Sequence, residues 1–522
     1  MDDRFVTSIP PSSMKPVPLQ FEPGYQIDGS PLEANRYSEG LWNRFNTRGK
    51  PRKMGGYDLI TYNASGPVFG SWIYTANGTA FIYSGSASGM EMQPVTLAGA
   101  VAGAKSNLTL SGYSANSGNI WLIDSIYDPS GANDIIVAHA GRNLFAIDST
   151  VTSQPMFGYA GSSSAMVTMS NAPSVAGGVM VAHPFVMSFD SNGGVAWSDA
   201  GLPLTWSGGS SGSARVTETK IVCGRQARGG AGQAPAGLLW SMNAVTRFTY
   251  VGGTPVFNFD QIAGDTSILS SRSPVDFDGV FYWPSTDRFL AYTGVIKEVK
   301  NDQNLDWFYS NINMAARQSV FGFKVPRWGE IWWCFPFGNS TTPDYAIIYN
   351  VRLGVWYNTK LPETGRTDGL FSNIMRFPIL FGSQSSANLY PIWLHEAIIG
   401  GVESHDKTAQ GVTTAIPASY TTGFITLEDS GIEKNISLMR IEPGFNQQGD
   451  MAVTRIGRPF ANGQDVSGSR VTFTSGQSTV DDIRGEERFL RLIFDSNVAG
   501  GFYEYAKSYI HLRPGASRPK GA

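Results

Sequence analysis

Five bulky side chains follow one another at Ile331, Trp332, Trp333, Cys334 and Phe335. A strand shows alternate residues to opposite faces, so an unbroken apolar run of this length needs cover on both sides. A stack of small sheets supplies that cover. The stretch around the run has the same character. DGVFYWPSTDRFLAYTG, from Asp278, and GEIWWCFPFGNSTTPDYAIIYNVRLGVWY, ending at Tyr357, are each a pair of short aromatic runs split by a polar turn. That is the pattern of antiparallel hairpins.

The unit recurs upstream and downstream. VFGSWIYTANGTAFIYSG turns at Asn77-Gly78, the strongest short-range hairpin signal, and GGVMVAHPFVMSFDSNGGVAW turns between Ser191 and Gly194. Seven such units lie between about 68 and 395, spaced by roughly 45 to 50 residues, the period of a four-stranded propeller blade. A pair of β-sandwiches is the alternative. With 522 residues the chain exceeds the size at which a single core stops growing, unless units add cores in series. Gly numbers 60 and charged residues make up only 16%, against a usual quarter, so turns abound and no long amphipathic helix is expected.

The expected fold is therefore all-β: a β-propeller of six to eight blades over 63–397, followed by a β-sandwich-like domain with a flexible tail over 398–522. Residues 1–62 read as an extended N-terminal arm and a basic hairpin. Pro10, Pro11, Pro16, Pro18, Pro23 and Pro31 disfavour a sheet there and suit an arm laid over a neighbouring surface. In the hairpin Arg44, Arg48, Lys50, Arg52 and Lys53 crowd ten positions without an acid. Displayed on one rim, they would meet phosphate or an acidic partner, or simply be solvated.

A formal charge of −3 and a pI near 6.0 exclude whole-molecule attraction to nucleic acid. Two cysteines, Cys223 and Cys334, imply no disulfide framework. The start of the chain lacks the apolar core of a signal peptide, and no apolar run of about 18 residues suggests a membrane-spanning segment.

Candidate chemistry is sparse. His139, His183, His395, His405 and His511 never stand at metal-ligand spacing, and DSNGGVAW from Asp190 places Gly201 where a calcium loop needs Glu. No Gly-rich phosphate loop with its Lys, and no other cofactor motif, occurs. Asp276, Asp278, Asp287, Glu298 and Glu330 could pair for glycoside hydrolysis in a propeller cleft, although acids at turns are ordinary. Trp283, Trp307, Trp328, Trp332, Trp333 and Trp356 could stack on sugars. Their place within strands favours a role in blade cores.

The motifs NRFNTRGKPRKMGGY, GLLWSMNAVTRFTYVGG, DGVFYWPSTDRFLAYTG, VPRWGEIWWCFPFG and AIIYNVRLGVWYNTKLP resemble the tail nozzle, or tail tubular protein B-like, proteins of short-tailed bacteriophages. The resemblance covers about 40 to 400 and extends more weakly through RGEERFLRLIFDS. It implies a structural, non-enzymatic virion protein: a propeller subunit repeated as a homohexamer around a channel, assembled in the host cytoplasm into the virion tail. Its partners would be the portal and adaptor rings, tail fibre proteins, and double-stranded DNA held and then ejected through the channel without sequence specificity. Trp283, Trp332, Trp333 and Trp356 would be blade cores. Arg44, Arg48, Lys50, Arg52 and Lys53 would contact another ring, subunit or the DNA. A carbohydrate-binding propeller for a host receptor, or a glycan depolymerase, stays open beside this reading.

Overall fold

Seven antiparallel meanders follow one another around an axis, and the innermost strand of each is its first in sequence. The computed structural model describes residues 15–515 except 31, 116–117, 142–151, 231–232, 364, 385–387, 397, 400–401 and 430–431. Pro10, Pro11 and Pro31, like the tail beyond 515, lie outside the described residues.

Blades 1 to 6 begin with the strands Val68–Ala76, Ile120–Asp128, Gly178–Ala182, Ile221–Gly230, Val275–Phe277 and Phe321–Val325, each continued outward by three neighbours. Blade 7 is composite. Arg366–Phe371, Pro378–Gly382 and Tyr390–His395 supply its inner strands, and Tyr57–Ala64, from the other end of the propeller, pairs with Tyr390–His395. The chain thus closes the ring by pairing its ends, which leaves no exposed edge between first and last blades. The fold is an all-β propeller with seven blades.

Blade 6 shows how the aromatic code works. Its second strand, Glu330–Phe335, is buried at every position. Ile331, Trp333 and Phe335 join Phe277 and Phe289 of blade 5 in one cluster. Trp332 and Cys334 join Leu380 and Trp393 of blade 7 in another. One strand thus cements two interfaces because alternate side chains point to opposite neighbours. Trp283, Trp332, Trp333 and Trp356 are all essentially inaccessible. The indole of Trp333 donates to the Ser273 carbonyl at 2.9 Å and that of Trp356 to the Lys300 carbonyl at 2.9 Å, so the polar edges of these two rings are not stranded in the core.

Near the axis, polar side chains stitch blade to blade. Ser71 of blade 1 donates to Asp368 of blade 7 at 2.6 Å, and Arg272 reaches the same carboxylate at 3.1 Å. Asp124 of blade 2 accepts from the Val181 amide of blade 3 at 3.0 Å.

The N-terminal stretch departs from the expected arm. Lys15–Leu19 pairs with Ser508–Pro514, Glu39–Leu41 with Ala418–Thr421, and Pro51–Lys53 with Asn43–Phe45 and, through Arg52, with Glu504. These strands complete the C-terminal sheets of the same chain. Pro16 and Pro18 fit because Lys15–Leu19 is the last strand of its sheet, where a missing N–H costs no ladder bond. The first and last portions therefore fold as one unit. Its hydrophobic cluster runs from Tyr25 and Trp42 through Trp332 and Tyr357 of blade 6 to Phe494 and Tyr503.

Candidate functional site

The five cations of the basic hairpin do not share one exposed rim. Arg44 is buried, with its Nε and Nη2 each 3.0 Å from the two Glu330 carboxylate oxygens, and it also pairs with Glu396. Arg52 pairs with Glu403 and Glu504 between the rings of Trp328 and Phe502. The Lys53 ammonium, fully covered, donates to the Gly501 carbonyl at 2.9 Å, and burial pushes its pKa down to about 8. Only Arg48 is exposed, while Lys50 and Arg52 are half-buried. A buried cation persists only when carboxylates meet it, and those carboxylates come from sequence positions hundreds of residues away.

Glu330 is consequently no catalytic candidate. It accepts from Tyr357 at 2.5 Å and from the Trp332 indole at 2.8 Å besides pairing with Arg44. Burial holds its carboxyl above the usual range, whereas Arg44 overcomes the same burial at Glu396 and holds that group below it. Asp276, Asp278, Asp287 and Glu298 are exposed on blade 5.

His395 lies in this buried cluster, against Trp42, Tyr57 and Trp332, with neither ring nitrogen hydrogen-bonded. Burial pushes its imidazole down to about 4, while an unfolded histidine titrates near 6.5. Below pH 6.5 the unfolded chain binds the extra proton, so this contribution to stability is complete above pH 6.5 and lost as pH falls toward 4. The loss reaches about 3 kcal/mol. Glu330 works in the opposite sense, so comparison with His395→Phe isolates the histidine. Urea midpoints from pH 7.5 to 4 are expected to fall less steeply in the variant; parallel curves would show that His395 does not titrate in this range.

An open cleft lies elsewhere, between blades 3 and 4. It measures about 640 Å3 and is bounded by three stretches: Arg215 to Glu218, where blade 3 passes to blade 4; Asn243 and Ala244, at the turn after Gln233–Ser241; and Gln261, Gly264 and Asp265, at the end of the last strand of blade 4, Phe257–Gly264. The volume falls within the usual range for small-ligand sites, roughly 300 to 1,000 Å3. Local structure sets its shape. Gly193 lies at φ 79° against the Thr217 carbonyl, which any Cβ would strike, and its own carbonyl accepts from the Val216 amide at 2.9 Å.

Polar groups converge on this space with unused capacity. Arg215 donates its Nε to the Asn192 carbonyl at 3.1 Å, which leaves its terminal nitrogens without a partner among the described residues. Asn243 accepts from Thr219 at 2.6 Å through Oδ1, so its amide nitrogen remains a donor. Glu218, Gln261 and Asp265 are exposed, and Asp265 is held at φ 53°. Donors and acceptors thus both line a cavity that has no aromatic ring in its wall. None of these residues was singled out from the sequence, since polar residues at blade turns look alike until the loops are brought together.

Among the described residues, no group of three or more His, Cys, Asp or Glu is arranged to hold a metal ion. No helix among them is long and apolar enough to cross a membrane.

No protein-family model and no curated protein matches the chain. Among solved structures the chain is similar to the exo-β-1,3-galactanase of Phanerochaete chrysosporium with galactose, at 10% identity and a TM-score of 0.27, over 88% of this chain and 100% of that one. That protein is a glycan hydrolase, and two expectations are corrected against it: that this chain is a nozzle for genome retention and ejection, and that it is not an enzyme. A likeness this distant assigns neither substrate nor reaction, so the functional reading rests on the cleft.

Proposed function

We propose that the chain is a carbohydrate-binding β-propeller that takes a polar glycan segment in the cleft between blades 3 and 4. The observation that carries this reading is the convergence of Arg215, Glu218, Asn243, Gln261 and Asp265 on one open cavity of about 640 Å3. Sugars present dense arrays of hydroxyls that both donate and accept, and the cleft offers a guanidinium, amides and carboxylates able to pair with both. An apolar ligand would strand these groups without partners. Since no aromatic ring lines the cleft, affinity depends on hydrogen bonds, and each charged partner contributes roughly 1.5 to 3 kcal/mol at most. The resemblance to tail proteins of short-tailed phages supports a virion setting and a homo-oligomer, in which the glycan belongs to a host receptor and repeated weak sites add by avidity.

Screening the purified chain against an array of bacterial surface polysaccharides, followed by calorimetry, tests this. Arg215→Ala and Glu218→Ala are expected to weaken the selected glycan roughly tenfold or more with unchanged melting temperature, because both residues are exposed. Failure of every glycan to bind, or full affinity in both variants, overturns the proposal. Release of reducing ends that Glu218→Gln or Asp265→Asn abolishes would add hydrolysis by a carboxylate pair to binding.

A further inference from the structure

Arg48 and Lys50, the two cations of the basic hairpin without an internal carboxylate partner among the described residues, stand beside a groove of about 420 Å3. Its walls come from residues 17–23, Asn35, 48–50, 424–426 and Ile510. We propose that this groove docks an acidic peptide segment of a partner protein, with an apolar side chain of that segment anchored on the groove floor.

The floor is apolar: Leu19, Phe21, Phe424 and Ile510 are each at most 9% exposed, and Ile425 is half-buried beside them. Glu22, at the rim, is 3.1 Å from Arg36 and so neutralised, which leaves the groove net positive. The Lys50 ammonium sits 5.8 Å from the centre of the Tyr505 ring. Partial burial lowers its pKa, a cost that an incoming carboxylate relieves. Charge complementarity thus selects an acidic occupant, and the floor selects an apolar anchor.

The backbone narrows the mode of binding. Lys15–Leu19 forms one side of the groove and is the last strand of its sheet, but Pro16 and Pro18 supply no N–H. The edge therefore cannot be extended by an added strand, and recognition falls to side chains. Nucleic acid fits less well, since two cations release few counterions and the apolar floor gives a phosphate backbone nothing. A glycan would bury hydroxyls against Leu19 and Phe424 without partners.

Fluorescence anisotropy on the full chain provides the test, with a labelled decapeptide that alternates Asp with Leu and Phe as the probe. Saturable binding is expected, weakened roughly tenfold in the Arg48→Gln/Lys50→Gln double variant, whose melting temperature stays unchanged because neither side chain anchors the fold. Replacing the probe's Asp by Lys, or its Leu and Phe by Ser, is expected to weaken binding by a similar factor. Equal binding of the Ser probe would reduce the groove to a general anion site and overturn the proposal. So would absence of saturation, full affinity in the double variant, or preferential binding of a single-stranded oligonucleotide lost in that variant.

Discussion

Replacing Arg44 by Met destabilises the protein by about 3 to 5 kcal/mol, the usual cost of removing one partner from a buried ion pair. The side chain is 1% exposed and serves two carboxylates, Glu330 from blade 6 and Glu396 just past blade 7. Without it, both acids remain in a site closed to water, so protonation or local unfolding must follow. Urea midpoints read the loss directly. Arg44→Lys keeps the charge but not the planar fork that spans both Glu330 oxygens, and is expected to fall between parent and Met variant. Arg44→Met with Glu330→Gln is expected to recover part of the loss, because one uncompensated charge disappears. An unchanged midpoint in Arg44→Met would show that the two acids are hydrated and the cluster is open.

Trp332→Ala and Trp333→Ala each cost about 3 to 5 kcal/mol through the cavity left in a closed core. The two differ in what else they break. Trp333 stands between blades 5 and 6, with Phe289 at 5.2 Å and Trp356 at 6.0 Å between ring centres. Trp332 faces Trp42 at 5.9 Å and His395 at 5.4 Å, and its indole donates to Glu330. Trp332→Phe, which keeps most of the ring volume, isolates the lost donor and is expected to cost about 1 to 3 kcal/mol. Calorimetric melting checks all three variants. A melting temperature in Trp332→Ala equal to that of the parent would mean that this face of blade 6 is not covered.

The blades were legible because their signal is local. An Asn-Gly turn at 77, aromatic alternation from Val280 to Tyr292 and the double-faced run at 331–335 each state which side of a strand is buried, and their spacing repeats. The same locality explains what stayed hidden. Blade 7 takes Tyr57–Ala64 from before blade 1, and nothing within that strand names Tyr390–His395 as its partner. Proline at 16 and 18 argued against a sheet, yet a sheet's edge accepts it.

What the sequence by itself determined is therefore the repeating unit and the residues that bury inside it, since period-two alternation and turn chemistry act between near neighbours. Only the tertiary structure decided which cations are free. Five basic residues within ten positions look equivalent along the chain, but Arg44, Arg52 and Lys53 are met by Glu330, Glu396, Glu403, Glu504 and Asp406, while Arg48 and Lys50 are not. Coulomb interaction depends on distance in space, and ring closure sets that distance. The cleft between blades 3 and 4 follows the same rule: Arg215, Asn243 and Gln261 become one surface only when consecutive blades stack and bring their turns to the same end.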